Sequence, residues 1–216
     1  MTIIDIDFAW PVAENGYQVR DYGPPSNEPT ILTAPRHGVW IEPIGTNRRW
    51  HEPLTFHSAL FLDFAALAET PAACCEFANS FGLLLGLRDL AGEGEAFGTW
   101  LHHIRRFQRL VAIWRGEDSS RLRWQSEDLL PATIAGRLVW RDQGPVFSLQ
   151  PNTLLSALRA QFYTAVAELK EITACEQCGR WFERGPGKPR RGKSRFCSDR
   201  CRSDYHNLRK RKGAAP

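Results

Sequence analysis

The last fifth of this 216-residue chain carries two close cysteine pairs. The first is Cys175-Glu176-Gln177-Cys178; the second, after eighteen residues, is Cys197-Ser198-Asp199-Arg200-Cys201. Two pairs at that separation can close around one tetrahedral Zn²⁺, because a tight turn presents two sulfurs at the ~2.3 Å that zinc prefers. So small a segment buries too little apolar surface to fold unaided, which makes the expected metal structural. With all four positions filled by sulfur, no site stays open for a catalytic water. We therefore expect one structural Zn²⁺ on Cys175, Cys178, Cys197 and Cys201. A redox dithiol pair is the competing reading.

The residues around the cysteines suggest how such a module is built. Gly179 permits the positive φ of a tight turn. Trp181 and Phe182 read as the first strand of a small hairpin, Phe196 as its return, and Gly185-Pro186-Gly187-Lys188-Pro189 as the loop. Ser198 is a good N-cap, Asp199 suits a helix N-terminus, and Cys201 comes back to the same side one turn after Cys197. Tyr205 and Leu208 continue that face and are expected to fill the small core. Knuckle, hairpin and ligand-bearing helix together make a treble-clef-like layout.

Charge is distributed unevenly. From Cys175 to Pro216 there are thirteen Lys/Arg and four Asp/Glu, a net +9; the preceding residues hold fifteen and twenty, a net −5. Such segregation marks a polyanion-binding appendage on a mildly acidic body. Lys188, Arg190, Arg191, Lys193 and Arg195 lie between the cysteine pairs. Arg202, His206 and Arg209 follow one helical stripe, and Arg211 lies just beyond. These nine residues are the candidate nucleic-acid contacts, with double-stranded DNA as the expected partner, since a basic helix fits a major groove. Two alternatives stay open: a solvated tail, and Arg residues that only offset the thiolate charge.

Upstream, residues 1–53 are rich in Pro, Gly and short alternating runs such as Gly38-Val39-Trp40-Ile41, and read as strands and ordered loops. Leu54–Glu69 shows helical spacing. Thr70-Pro71 gives an N-cap and a proline at the first position of a helix through Leu85, with Gly86 as its stop. Adjacent Cys74 and Cys75 read as buried apolar residues of that helix. Glu95–Arg115 carries Trp100, Ile104, Phe107, Val111 and Trp114 at steps of three and four, a third helix. His102 and His103 beside that stripe receive no role. Gly116–Ser120 reads as a loop, and residues 138–149 as a β-hairpin. Asn152 or Thr153 caps the longest helix, whose stripe runs from Leu155 to Ile172 over about 30 Å and leads stiffly into Cys175.

The finger resembles that of bacterial CGNR-type proteins. The similarity rests on Cys-x-x-Cys-Gly-x-x-Phe, the basic gap, Arg-Phe-Cys-Ser-x-x-Cys-Arg and Tyr-His-Asn-x-Arg-Lys-Arg, and covers about residues 152–212. The family's Cys-Gly-Asn-Arg is replaced here by Cys201-Arg202-Ser203-Asp204. A sister group of zinc-finger proteins is the other placement. The resemblance implies a helical N-terminal domain of the ABATE type and a transcription regulator whose N-terminal part senses a ligand or stress, hence a possible small-molecule effector.

The expected fold is mainly α with small β elements: a helical body over residues 1–174, and a Cys₄ treble-clef-like finger with a basic tail over 175–212. No Gly-rich phosphate loop, nucleophile elbow or paired-His helix motif is present, so we expect no enzyme. His206-Asn207 near the metal invites an HNH-nuclease comparison, but no partner His or Asp lies within the module. A protein-interaction finger is the runner-up to DNA binding. Trp40, Trp50, Trp100, Trp114, Trp124 and Trp140 are expected in the core more than around a ligand. No apolar run approaches the ~20 residues of a membrane span, and the acidic N-terminus lacks a signal-peptide n-region. Together with the cysteine usage, this points to the cytoplasm.

Overall fold

The computed structural model describes residues 4–24, 36–57, 59–86, 94–117, 134–141, 144–185, 190 and 192–213. The expected loop of residues 186–189, Lys188, Arg191, Trp124 and the centre of the 138–149 turn lie outside them, as does part of the Gly116–Ser120 loop. So do the side chains of Lys210, Arg211 and Lys212.

The mainly helical expectation is overturned: the protein is mixed α/β, about 39% helix and 27% strand. The strands are β1 (Ile4–Ile6), β2 (Trp10–Ala13), β3 (Tyr17–Asp21), β4 (Val39–Pro43), β5 (Arg48–His51), β6 (Glu95–Ala96), β7 (Ile134–Arg141), β8 (Gly144–Pro151), β9 (Glu171–Ala174) and β10 (Trp181–Arg184). The helices are α1 (Pro53–Phe56), α2 (Leu60–Ala65), α3 (Pro71–Phe81), α4 (Phe97–Trp114), α5 (Leu154–Ala167) and α6 (Asp199–Gly213). Among the described residues the strands form four small sheets, ordered β1-β8-β7, β3-β4-β6, β2-β5 and β9-β10. Only the β1–β8 pairing among the described residues is parallel, with Ile4 opposite Phe147. The sequence underweighs the strand share, because strands as short as β6 and β9 leave little periodic signal.

One core joins α2, α3, α4 and α5 to the N-terminal strands. Phe61, Phe64, Trp100, Phe107 and Phe162 are essentially inaccessible, and edge-to-face ring contacts at 5.4 Å link Phe64 to Phe107 and Phe61 to Phe162. Trp10 of β2 enters the same core and donates its indole N–H to the Leu83 carbonyl at 2.9 Å. Of the other tryptophans, Trp50 and Trp140 are 63% and 76% exposed, so the core expectation fails for both.

Several helix limits differ from the expectation, each for a physical reason. Leu54–Glu69 is not one helix, because Gln161 of α5 satisfies the backbone at the break: it donates to the His57 carbonyl and accepts the Phe61 N–H. The Thr70 cap is present, its side chain accepting from Ala73 N–H, but α3 stops at Gly82, not Gly86. Gly82 has φ +89°, and a Cβ there would lie 2.7 Å from the Trp10 ring, so only glycine allows both turn and packing. Residues Glu95–Ala96 join β4 as a strand, so α4 starts at Phe97. Thr153, not Asn152, caps α5, by accepting from Ser156 N–H at 3.0 Å. The residue 138–149 hairpin is present and longer than expected, spanning β7 and β8.

The stiff helical lead into Cys175 is also corrected. At 14 residues α5 is shorter than the 18-residue α4, and it ends well before Ile172. Leu169 adopts φ +50°, while Leu169 N–H bonds the Val166 carbonyl and Lys170 N–H the Ala165 carbonyl. That is a Schellman termination, with leucine where glycine is usual. The chain then reverses into β9, so a strand delivers Cys175.

Candidate metal centre and basic face

The antiparallel pair β9–β10 sets the first two sulfurs. With Ala174 opposite Trp181, residues 175–180 form the turn between the strands. Cys175 N–H bonds the Arg180 carbonyl at 2.9 Å, Gly179 N–H bonds the Cys175 carbonyl at 2.8 Å, and Gly179 takes φ +72° as its position requires. The hairpin thus differs from the expected one: β10 pairs backward with β9, and Phe196 lies on no strand. The return segment is fixed instead by Glu176 N–H bonding the Arg195 carbonyl at 3.1 Å.

The second two sulfurs come from the start of α6. Ser198 caps it, its hydroxyl accepting the Cys201 N–H at 3.1 Å, so Cys197 and Cys201 face the knuckle one turn apart. The four sulfurs lie within 4.8 Å of one another, and Sγ of Cys197 is 3.6 Å from both Cys178 and Cys201. A tetrahedron of sulfurs about 2.3 Å from a central ion has edges of about 3.8 Å, so the spacing fits a metal. It is far beyond the ~2.05 Å of a disulfide, and all four cysteines are free. The four cysteines could hold one metal ion.

Electrostatics favours the same conclusion. Burial raises the Cys175 thiol, yet N–H groups of Cys197, Cys178 and Gln177 outweigh that and bring it down to about 6. Burial and the thiols of Cys201, Cys178 and Cys175 push Cys197 up to about 12. Burial likewise raises Cys178. Sulfurs so crowded cannot all ionise without a cation among them, and a divalent ion reverses that balance.

A small core supports the site: Cys175, Phe182 and Phe196 are buried, with Cys197, Cys201 and Tyr205 packed on them. Leu208, expected here, is 46% exposed, because this core ends at Tyr205. The hairpin also reaches the body. Ile172 and Trp181 pack against the main core, and the Trp181 indole faces the Asp63 carboxyl of α2. Sequence periodicity offered no sign of that docking.

The candidate nucleic-acid residues divide into two groups. Arg190 donates to the Cys197 carbonyl at 3.1 Å and to Asp199 at 2.9 Å, tying the loop to the helix start. Arg195 makes a two-pronged pair with Glu176, and its guanidinium lies 5.7 Å from both the Phe196 and Tyr205 rings. Both arginines brace the module. Lys193, Arg202, His206 and Arg209 are exposed, and the last three form one stripe along α6. His206 rests its ring 5.6 Å from Tyr205. The four cysteines are the only His/Cys/Asp/Glu cluster able to hold a metal among the described residues.

No family model, curated protein or solved structure matches the chain. Among the described residues, no helix is long and apolar enough to cross a membrane.

Proposed function

We propose that the chain is a DNA-binding, transcription-regulator-like protein whose finger is held by one structural Zn²⁺. The observation that carries this reading is the exposed stripe Arg202-His206-Arg209 on α6, which begins at the residue after Cys201 of the Cys₄ cluster. A helix fixed at its N-terminus by two metal ligands presents its basic face without paying further ordering entropy, which suits phosphate contact. The division between a body over residues 1–174 and a finger over 175–212, a cytoplasmic setting, the absence of catalysis and the CGNR-type resemblance belong to the same proposal. Anisotropy titrations with random and enriched duplex DNA pools at two salt concentrations test it. Salt-sensitive binding is the expected result.

A second reading has its own observation: Leu208 stands exposed on α6 beside the basic stripe. An exposed apolar side chain among basic ones gives α6 the mixed apolar and polar surface that a protein partner could cover. Failure to bind DNA at low salt would move the assignment to an interaction finger.

A further inference from the structure

The residues of α6 fall on unlike faces around its axis. Cys201 and Tyr205 pack inward on the small core of Cys175, Phe182 and Phe196. At about 100° per residue, Ser203 stands opposite that packed face, with Asn207 about 40° to one side of it and His206 about 60° to the other. Arg202 and Arg209 lie further round on the His206 side, and Arg200 lies on the Asn207 side. All six are exposed. An uncharged strip of Ser203 and Asn207 is therefore bordered by guanidinium groups on both flanks. The two carboxylates of the helix are engaged, Asp199 with Arg190 at 2.9 Å and Asp204 with Arg200 at 3.8 Å.

Helix stability does not account for Asn207. Asparagine is a poor helix former, because its short amide competes with the backbone, yet it stands inside a 15-residue helix. Among the described residues neither its amide nor the Ser203 hydroxyl makes a hydrogen bond. The small core ends at Tyr205, so α6 continues about two turns beyond it, through Gly213.

The major groove of a DNA duplex is about 12 Å wide, admits one α-helix, and carries base edges on its floor between two phosphate rims. A helix with guanidinium groups on its flanks and polar side chains along its crest matches that section. Ser203 and Asn207 stand about 6 Å apart along the axis, close to two base-pair steps. An asparagine amide can donate to adenine N7 and accept from the N6 amino group in one bidentate pair. We propose that α6 is a major-groove recognition helix, in which Asn207 reads an adenine while Arg202 and Arg209 hold the phosphates. This inference rests on the DNA-binding reading above. It adds a source of sequence preference, which phosphate contacts alone do not carry.

The test is selection by the full zinc-loaded chain from a randomised duplex DNA pool, followed by anisotropy titration of the enriched duplex and of random duplex. The wild-type protein should enrich a site with one fixed A·T pair. Replacing that pair, or Asn207→Ala, should weaken binding to the enriched duplex by roughly 5- to 140-fold, as expected for one bidentate pair. Asn207→Ala should keep its zinc, its affinity for random duplex and its salt slope, since alanine favours the helix and no phosphate contact is lost. Arg202→Gln/Arg209→Gln should weaken both duplexes by the same factor and leave the preference intact. Duplex binding that enriches no site with a fixed A·T pair, or a preference that survives in Asn207→Ala, would overturn the inference and leave the DNA-binding reading standing. Failure to bind any duplex at low salt would overturn both.

Discussion

The Arg115 guanidinium lies over the indole ring of Trp181, 5.2 Å from its centroid. This contact joins the C-terminal end of α4 to β10, three residues past Cys178. Trp181 also packs against the main core, so the knuckle is anchored to the body by a side chain that is not a ligand. Trp181→Ala should cost about 2–3 kcal/mol, somewhat below the value for a fully buried tryptophan. Arg115→Ala should cost about 0.5–1 kcal/mol, as for an exposed cation–π pair. Urea unfolding measures both. Metal content should be unchanged, and its loss in Trp181→Ala would show that the anchor and the metal site are one unit.

Purified protein should carry about one zinc per chain, the content of a filled Cys₄ site. Cys197→Ser should lose it. Cys74→Ser should retain it, since Cys74 is fully buried on α3 and its thiol is pushed up to about 11 by burial and by Cys75. Chelation should then act unevenly. Amides of α6 should exchange freely, while those of β9–β10 stay protected by the docking of Ile172 and Trp181. Zinc retained after all four cysteines become serine would end the assignment.

A buried carboxylate gives the fold a defined pH response. Glu95 is 8% exposed and accepts N–H groups from Leu84, Leu85 and Gly86, holding the chain that leaves α3. Burial raises its pKa despite those three donors. As pH climbs through the ordinary carboxylate range, the unfolded chain releases this proton before the native one. The native state then binds more protons, and stability falls until pH passes the raised native value. Glu95→Gln should remove this contribution to the slope. It should also cost about 1–3 kcal/mol near neutral pH, because the amide NH₂ faces an N–H in place of an acceptor. Denaturation curves of both proteins from pH 4 to 8 measure the difference, and parallel curves would contradict the argument.

Leu169 shows why part of this fold was hidden in the sequence. It continues the apolar stripe of α5 in spacing, so the helix reads as running to Ile172. In the protein it is 85% exposed at the left-handed cap position. Side-chain periodicity carries no signal for a non-glycine cap, and the strand after it is only four residues long. Gln161 acts in the same way, breaking a legible helix through bonds 100 residues distant. By contrast the four cysteines, the Ser198 cap and the Gly179 turn were legible because each is local chemistry within a few residues. Replacing the left-handed leucine tests the cap directly. Leu169→Gly should raise stability by about 1 kcal/mol, the cost of that backbone region for an L-residue. A destabilised variant in urea unfolding would mean that Leu169 makes contacts its exposure denies.

The distribution of arginines in the finger predicts an asymmetry in DNA binding. Arg190 and Arg195 are committed to Asp199 and Glu176, so they brace the module instead of reaching outward. Lys193, Arg202 and Arg209 face water, and each phosphate they contact should release condensed counterions. On duplex DNA each contact contributes about −0.9 to the log–log salt slope. Arg202→Gln with Arg209→Gln should therefore flatten the slope by nearly two units, with zinc retained, because neither residue is a ligand. Arg195→Gln should instead loosen the finger, seen as faster zinc loss to a chelator, and leave the slope of the still-metallated fraction near wild type. Slopes come from anisotropy titrations between 50 and 200 mM salt, a range in which a multi-contact protein loses affinity by orders of magnitude. An unchanged slope in the double variant would place any DNA contact elsewhere on the chain. Absence of binding even at low salt would leave the exposed Leu208 face, and a protein partner, as the better account of α6.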